Sequence, residues 1–590
     1  MRPVSPTARK AGAALAALML STALTACQPQ ISTASAATPT SVPTPTDQAS
    51  APASNSTGSP GNSTGGSTAS PGGSNGGSQS DAPQGLESFY SQTIDWKDCS
   101  NETTTFQCGT VTVPLDYDHP DGQTITIALK KLPASDGNAE HGSLFLNPGG
   151  PGGSGVAMMQ VMAPMLTEET RGAYDIIGFD PRGVGQSTPI TCWTNDEIKQ
   201  HLANPSDDAG PTDPLKGVTY KNVAAQNKID RGAANAARCA QHSQVPELLD
   251  HVGTRDVARD LDILRATNSN TKLNYLGISY GTRIGAIYAD LFPGHVSRVV
   301  LDSAVDPSKR EIDSITETVA FKEGVLREYV EHCQAQDGCP LTGSTDEAVA
   351  QLAAFVDGLD KNPLTAPDSD ATINTQDATA IIQQHAVAQP NWDALTAMLT
   401  PAMTNHDGTL MVKAKQNSSD LSPETTVEEV VSQANEQIML AAVICNDNPD
   451  AGSTASDWDA QTAAEKKSYP FFGGTSSAMD AYCRGWGHQG KTPPQETRAK
   501  GSDPILVVGI TGDVQTLYSW AQSLAGQLDN GHLFTIKGYG HGGAIGSCAT
   551  ATTIGFLVNG TVPAEGATCT AEPRQAAAEP PPAADGGAEG

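Results

Sequence analysis

Within this 590-residue sequence, Gly277-Ile278-Ser279-Tyr280-Gly281 carries the strongest chemical signature. It has the G-x-S-x-G form of a nucleophile elbow, in which glycines on either side of a serine allow a turn too sharp for side chains. A serine hydroxyl is a weak nucleophile at neutral pH. It needs a base beside it and an acid that orients the base. Two downstream loops offer these groups, Thr511-Gly512-Asp513 and Gly538-Tyr539-Gly540-His541-Gly542. Of the 12 histidines, only His541 combines a position after the acid with flanking glycines at the end of a β-rich run. Asp513 is open to two readings, the orienting acid or a turn residue capping the helix that follows. Asp302 also follows a β-rich run and is a second candidate for the acid. The amide of Tyr280 would face an oxyanion developing next to Ser279, and the dipole of the following helix would add to it. A second donor is expected from the loop Asn147-Pro148-Gly149-Gly150-Pro151-Gly152-Gly153-Ser154-Gly155, with Gly150 N–H as the candidate.

These groups act together only if one scaffold brings them to one rim. Eight β-rich runs are expected, at Thr110–Leu115, Thr124–Leu132, Ser143–Asn147, Tyr174–Asp180, Leu273–Ile278, Arg298–Asp302, Pro504–Thr511 and His532–Lys537. The later runs are almost continuously apolar, as parallel strands covered on both faces are. Helical periodicity separates them at Val156–Leu166, Val257–Thr267, Thr282–Leu291, Thr516–Leu528 and Thr552–Val558. This alternation predicts an α/β fold, an α/β-hydrolase with an eight-stranded, mostly parallel sheet. Ser279, Asp513 and His541 then each fall just past a strand end, in the chain order serine, acid, histidine. After the sixth strand the rhythm breaks. Ile315–Cys333, Glu347–Leu359 and Val427–Val443 read as helices without a convincing strand among them. A helical lid over the carboxyl edge of the sheet is expected there. The glycine loop at 147–155 lacks the Gly-Lys-Ser/Thr of a phosphate loop and has no acidic ribose partner on the next strand, because Asp180-Pro181-Arg182-Gly183 reads as a turn.

The remainder bounds the setting. Acidic residues outnumber basic ones, 65 to 35, for a net charge of −30, which argues against nucleic acid as a partner. Arg2, Arg9 and Lys10 precede an apolar run, Ala11–Ala23, too short to span a bilayer comfortably. The run ends at Leu24-Thr25-Ala26-Cys27, which resembles the lipobox of bacterial lipoproteins and implies cleavage before Cys27 and acylation of its sulfur; an ordinary secretory signal is the alternative. From Gln28 to Ser80 the only charge is Asp47 and no residue is aromatic, so a flexible tether is expected. The resulting division is signal peptide 1–26, tether 27–86, first part of the core 87–306, lid 307–500, second part of the core 501–570 and tail 571–590. Setting aside Cys27, ten cysteines remain: Cys99, Cys108, Cys192, Cys239, Cys333, Cys339, Cys445, Cys483, Cys548 and Cys569. An even set in an exported chain reads as disulfides, most simply between sequence neighbours, although sequence alone does not fix the pairing. No Cys-x-x-Cys pair suggests a metal, and none is expected.

With these residues assembled, the chain resembles the secreted bacterial tripeptidyl aminopeptidase family of serine α/β-hydrolases, relatives of prolyl aminopeptidases. The resemblance runs from about Trp96 to Cys569. It is carried by Cys108–Tyr117, Asn147–Gly155, Gly178-Phe-Asp-Pro-Arg-Gly-Val-Gly-Gln-Ser187, Gly277–Gly281, Val443-Ile-Cys-Asn-Asp447, the Asp513 and His541 loops, and the segment from Cys548 to Cys569. Relatives often read Asp-Pro-x-Thr-Pro in the acid loop, where this chain has Asp513-Val514-Gln515-Thr516-Leu517. The resemblance implies a Ser279–His541–Asp513 triad that releases short peptides, tripeptides among them, from free N-termini without a cofactor. Such specificity requires lid carboxylates to pair with the substrate ammonium. Glu436 and Asp447 are the candidates, or else belong to a solvated face. The partners expected are peptides with free N-termini and a membrane reached through the lipid at Cys27, with the chain itself a monomer on the outer face of the cell membrane. Two other readings stand beside this one: a carboxylesterase or lipase using the same triad, and a catalytically inactive surface-binding lipoprotein.

Overall fold

Alternation of apolar strand and amphipathic helix builds one large twisted sheet. The structure is a computed structural model that describes residues 82–203, 223–367, 369–387, 389–418 and 426–571. Cys27, the expected signal peptide, nearly all of the expected tether and all but the first residue of the expected tail lie outside the described residues. The sheet strands are β1 (Lys97–Asp98), β2 (Gln107–Pro114), β3 (Thr124–Leu132), β4 (Ser143–Asn147), β5 (Asp175–Phe179), β6 (Leu273–Ile278) and β7 (Val296–Asp302), then, after a hairpin of β8 (Leu364–Ala366) and β9 (Ser369–Ile373), β10 (Ile505–Gly512), β11 (Gly531–Tyr539) and β12 (Thr568–Thr570). Their spatial order is β1-β2-β3-β5-β4-β6-β7-β10-β11-β12. From β5 through β12 every pairing is parallel, whereas β1, β2 and β3 are antiparallel. All eight expected strands are present. The sheet has ten rather than eight because β1 and β12 extend its edges. At two and three residues, neither strand is long enough to show a hydrophobic period.

Both faces of the sheet are covered. On one, Val299, Leu301, Tyr275 and Val507 pack with Leu261, Leu264 and Ile284 of helices Thr254–Thr267 and Tyr280–Leu291. On the other, Leu144, Leu276, Val300 and Leu506 pack with Met159 and Phe556 of helices Gly155–Met162 and Thr550–Asn559. The folded part begins a little before the expected boundary, because Leu86 is buried in the first of these cores and Ala82 packs against it.

The insertion between β7 and β10 is helical, as expected, but it is not uniform. Helices Glu311–Gln334, Thr345–Asp357, Thr375–Ala386 and Trp392–Asn405 enclose their own core around Leu326, Tyr329, Leu352 and Leu395. The β8–β9 hairpin sits beside this core. The sequence offers no sign of it because Ser369–Ile373 has no apolar run, with only Ile373 fully buried. Helices Val427–Asp447 and Ala478–Trp486 instead join the core under the main sheet through Ile438, Val443, Tyr482 and Trp486. A further helix, Ala225–His242, lies between β5 and β6 and packs on Ala478–Trp486. The backbones meet so closely there that a Cβ on Gly485 would sit 1.8 Å from the Ile229 carbonyl oxygen. Five disulfides join sequence neighbours: Cys99–Cys108, Cys192–Cys239, Cys333–Cys339, Cys445–Cys483 and Cys548–Cys569. Among the described residues, no helix is long and apolar enough to cross a membrane.

Candidate active site

The turn from β6 into helix Tyr280–Leu291 holds Ser279 at φ 58°, ψ −127°, a left-handed conformation that a non-glycine residue keeps only when its surroundings enforce it. Several contacts do so. Ser279 N–H donates to the Asp302 carbonyl at 2.9 Å, and the Ser279 carbonyl accepts from Thr282 N–H at 2.9 Å and the Thr282 hydroxyl at 2.6 Å. Tyr275 OH donates to the Gly281 carbonyl at 2.8 Å. A Cβ on Gly277 would fall 2.4 Å from the Gly281 oxygen, so the flanking glycine is required by close approach.

His541 follows β11 and Asp513 follows β10. His541 Nδ1 lies 2.9 and 3.1 Å from the two Asp513 carboxylate oxygens. The aspartate also accepts from Gln515 N–H at 2.9 Å, Thr516 N–H at 3.0 Å and the Thr516 hydroxyl at 2.9 Å. Asp513 thus closes its own turn and meets the imidazole, but it does not cap the helix that follows, Tyr518–Gln527, whose N-cap position is Leu517. Burial works against a charged His541, but the hydrogen bond and charge of Asp513, with Asp302 adding to them, outweigh burial and raise the imidazole pKa above its ordinary value. His541 Nε2 is buried and has no hydrogen-bond partner among the described residues, so the serine–histidine hydrogen bond is not formed in this state. Catalytic hydrogen bonds of this kind often tighten only with substrate present.

Asp302, the other candidate acid, does not bond His541. Its Oδ2 accepts Gly543 N–H and Ala544 N–H, each at 2.8 Å, while Gly542 N–H donates to the neighbouring Ser303 hydroxyl at 2.9 Å. One residue thus fixes the serine turn through its carbonyl and the histidine loop through its carboxylate. Burial pushes the Asp302 carboxyl up to about 6, with the Ala544 and Gly543 amides and His541 pulling it down and Asp513 pushing it up.

The glycine loop after β4 lies against this turn. A Cβ on Gly149 would stand 2.9 Å from Tyr280 N and 3.0 Å from Ser279 Cβ, so only glycine allows the contact. Gly150 and Tyr280 line, with Ser279, a cavity of about 450 Å³. Its walls come mainly from the insertion, with Glu311, Ile315 and Lys322 on helix Glu311–Gln334 and Leu440, Ile444 and Asp447 on helix Val427–Asp447.

The two lid carboxylates singled out from sequence are placed differently. Asp447 lines the cavity, but its carboxylate already accepts from Thr254 N–H at 2.8 Å and from the Thr254 hydroxyl, and it pairs with Arg283 at 3.4 Å. Glu436 is exposed and is not among the residues lining the cavity; its backbone carbonyl covers Gly152 instead. The carboxylate that sequence reading missed is Glu311, which opens the first insertion helix and lines the cavity. Burial drives its carboxyl up to about 7, Arg283 opposes this, and Asp480 and Asp447 reinforce it. In sequence Glu311 is one more acid in the first turn of a helix, a position acids occupy for dipole reasons alone. The one available signal was its place directly after the strand that ends in Asp302.

Residues 142–411 match the family model described as α/β hydrolase fold, and residues 469–569 match the one described as TAP-like protein. A tripeptidyl aminopeptidase of Streptomyces lividans is 31% identical over 489 residues, covering 81% of this chain and 86% of that protein. Serine protease Hip1 of Mycobacterium tuberculosis (strain ATCC 25618 / H37Rv) is 30% identical over 502 residues, covering 81% of this chain and 91% of that one. A protein from the same strain named carboxylesterase B is 30% identical over 493 residues, covering 80% of this chain and 89% of its own.

Proposed function

From the premise that this chain belongs to the tripeptidyl aminopeptidase family of α/β-hydrolases, we propose that it is an exported serine exopeptidase releasing short peptides, tripeptides among them, from free N-termini. In this reading Ser279 Oγ attacks the scissile carbonyl while His541 Nε2 takes its proton. The imidazolium, held by Asp513 through Nδ1, then returns the proton to the leaving amine, so the C–N bond breaks and an acyl-enzyme remains. Water activated by the same imidazole releases the peptide and restores Ser279. The Tyr280 and Gly150 amides receive the oxyanion, and a donor of this type typically contributes about 2.7–4 kcal/mol to the transition state.

The observation that favours an exopeptidase over an esterase is the negative charge in the cavity wall. An ester needs no acid there, whereas a substrate ammonium does. Glu311 supplies a cavity-lining carboxylate with no ion pair among the described residues, with Asp447 beside it in the cavity wall. Glu436, outside the cavity, is not assigned this role. Export is supported by the signal-like N-terminus and by five disulfides, which persist in oxidising compartments. Acylation at Cys27 would hold the protein on the outer face of the cell membrane.

The test is mass spectrometry of products from a series of unblocked peptides and their N-acetylated twins. The expected outcome is loss of a fixed number of residues from the free amino end and no cleavage of the twins. Turnover of acyl esters with every peptide left intact would support the esterase reading. Failure of a fluorophosphonate probe to label Ser279 in the folded protein would support the inactive binding protein.

A further inference from the structure

We propose that Lys322 forms a carboxylate-binding subsite of the cavity, which selects peptides carrying an acidic side chain at one fixed position from the N-terminus. The proposal rests on the exopeptidase reading above and names its substrate class.

Glu311, Ser314, Ile315, Thr318, Val319 and Lys322 all line the cavity, at the spacing that places residues on one helical face. That face begins with an acid and ends with a base. At 1.5 Å of rise per residue the two stand roughly 16 Å apart along the helix axis. The helix face is therefore electrically polarised along its length, with Glu311 beside the Arg283–Asp447 pair at one end and Lys322 at the other.

The other cavity-lining cation, Arg283, pairs with Asp447, whereas Lys322 has no ion pair among the described residues. Its own helix gives it none, because the positions one turn away are Thr318, Val319, Val325 and Leu326. The nearby acids are engaged elsewhere. Glu317 accepts from Lys309 and from Trp520 Nε1, each at 2.6 Å. Glu323 accepts the amides of Phe471 and Phe472, at 3.3 and 3.0 Å. Asp513 is taken up by His541 and Thr516, and Asp360 accepts Thr375 N–H at 3.3 Å. Burial accordingly pushes the Lys322 ammonium down to about 8, with Asp513 opposing only in part. A half-buried cation without a counter-charge costs stability, and a fold retains one most readily where a ligand provides the missing charge. A peptide carboxylate does so, and the ammonium end of the same peptide meets Glu311.

The experiment walks a Glu/Gln pair through every position of an unblocked neutral hexapeptide and reads the ratio of kcat/KM for Glu over Gln at each position. Size and shape are nearly the same within a pair, so the ratio reads the exchange of a charged, accept-only carboxylate for a neutral amide. Wild-type enzyme is expected to show a ratio of about tenfold or more at one position and near unity elsewhere. In Lys322→Gln that ratio falls to near one, and in Lys322→Glu it inverts, with Lys then favoured over Gln at the same position. Because each ratio is internal to one protein, a general loss of activity does not affect the reading. Calorimetry of the same pairs with Ser279→Ala protein, which binds without turnover, must show the same preference. If neutral peptides are cleaved but every Glu/Gln ratio stays within about twofold, or if Lys322→Gln leaves the preferred position unchanged, the subsite is refuted while the exopeptidase reading stands. If Ser279→Ala protein binds no peptide and the wild type cleaves none, both readings fall.

Discussion

Two groups of buried charges lie a short distance apart, and they are treated in opposite ways. Behind the sheet, along helix Thr254–Thr267, the buried charges Asp260, Asp262 and Arg265 are satisfied. Arg182 donates to both Asp260 oxygens at 2.7 Å and to the carbonyls of Pro114, Leu115 and His251, while Tyr117 OH completes Asp260 at 2.7 Å. Asp262 is likewise enclosed by Arg265, Tyr90, Tyr288 and His295, which hold its carboxyl well below the usual range against the opposing effect of burial. At the carboxyl edge of the sheet the opposite holds. His541 Nε2 and Asp302 Oδ1 are buried without a hydrogen-bond partner, and Glu311 and Lys322 face the cavity without an ion pair. Buried side-chain atoms without a partner occur elsewhere among the described residues too, Trp193 Nε1, Trp458 Nε1 and Trp486 Nε1 among them, so what sets the rim apart is that its open groups are titratable and lie around Ser279.

The largest effects expected test this division directly. Ser279→Ala should reduce turnover by at least ~10⁴-fold while leaving stability within about 1 kcal/mol, since alanine keeps the same Cβ in the same strained turn and the change breaks no buried pair. Arg182→Ala should do the reverse, costing about 3–5 kcal/mol by stranding Asp260. Chemical denaturation and steady-state kinetics on the same two proteins read both numbers. A stable Arg182→Ala protein, or a Ser279→Ala protein that retains activity, would dissolve the contrast.

A smaller effect separates the two acidic limbs within the site. If the carboxylate of Glu311 holds the substrate amine as proposed, burial that pushes its carboxyl up to about 7 should make kcat/KM of free-amine substrates fall as pH drops below that value. Neutral His541 is also required, and its raised pKa adds to the same limb. An ester without an amine reports His541 alone. Glu311→Gln should weaken free-amine peptides by about 10–100-fold, largely in KM, and leave the ester profile in place. Equal losses on both substrates would place Glu311 with the charges behind the sheet instead.

How much of this was legible in sequence follows from the same contrast. Ser279, Asp513 and His541 stand at strand ends with glycines around them, and both strand period and turn chemistry are local signals. The eight long strands and the first insertion helices are legible for the same reason. Glu311 and Lys322 are not, because a helical acid and a helical lysine look solvated until the opposing wall is known. The helix Ala225–His242 was passed over because its buried face includes Lys228, Arg231 and Asn235, which break the apolar stripe. Glu436 and Asp447 were chosen for their helix; only tertiary placement shows one turned away from the cavity and the other held by Thr254 and Arg283.

The smallest effect expected belongs to Asp302, which touches both the serine turn and the histidine loop. Asp302→Asn keeps an oxygen to accept the Gly543 and Ala544 amides, so the histidine loop stays in place, and it leaves the carbonyl that holds Ser279 N–H untouched. What it removes is a negative charge beside His541, a weaker influence there than Asp513. Because that charge favours the imidazolium, its loss should move the acid limb of ester hydrolysis to lower pH. The stability change has a definite sign too. A carboxyl raised to about 6 in the folded protein, against an unfolded value near 3.8, makes the fold less stable as pH climbs through that window. The asparagine variant lacks this term, so its stability relative to wild type should improve between pH 4 and about 6.5. Denaturant midpoints of the two proteins across that range measure it. A parallel pair of curves would show that Asp302 is ionised at no cost and belongs with the satisfied charges behind the sheet.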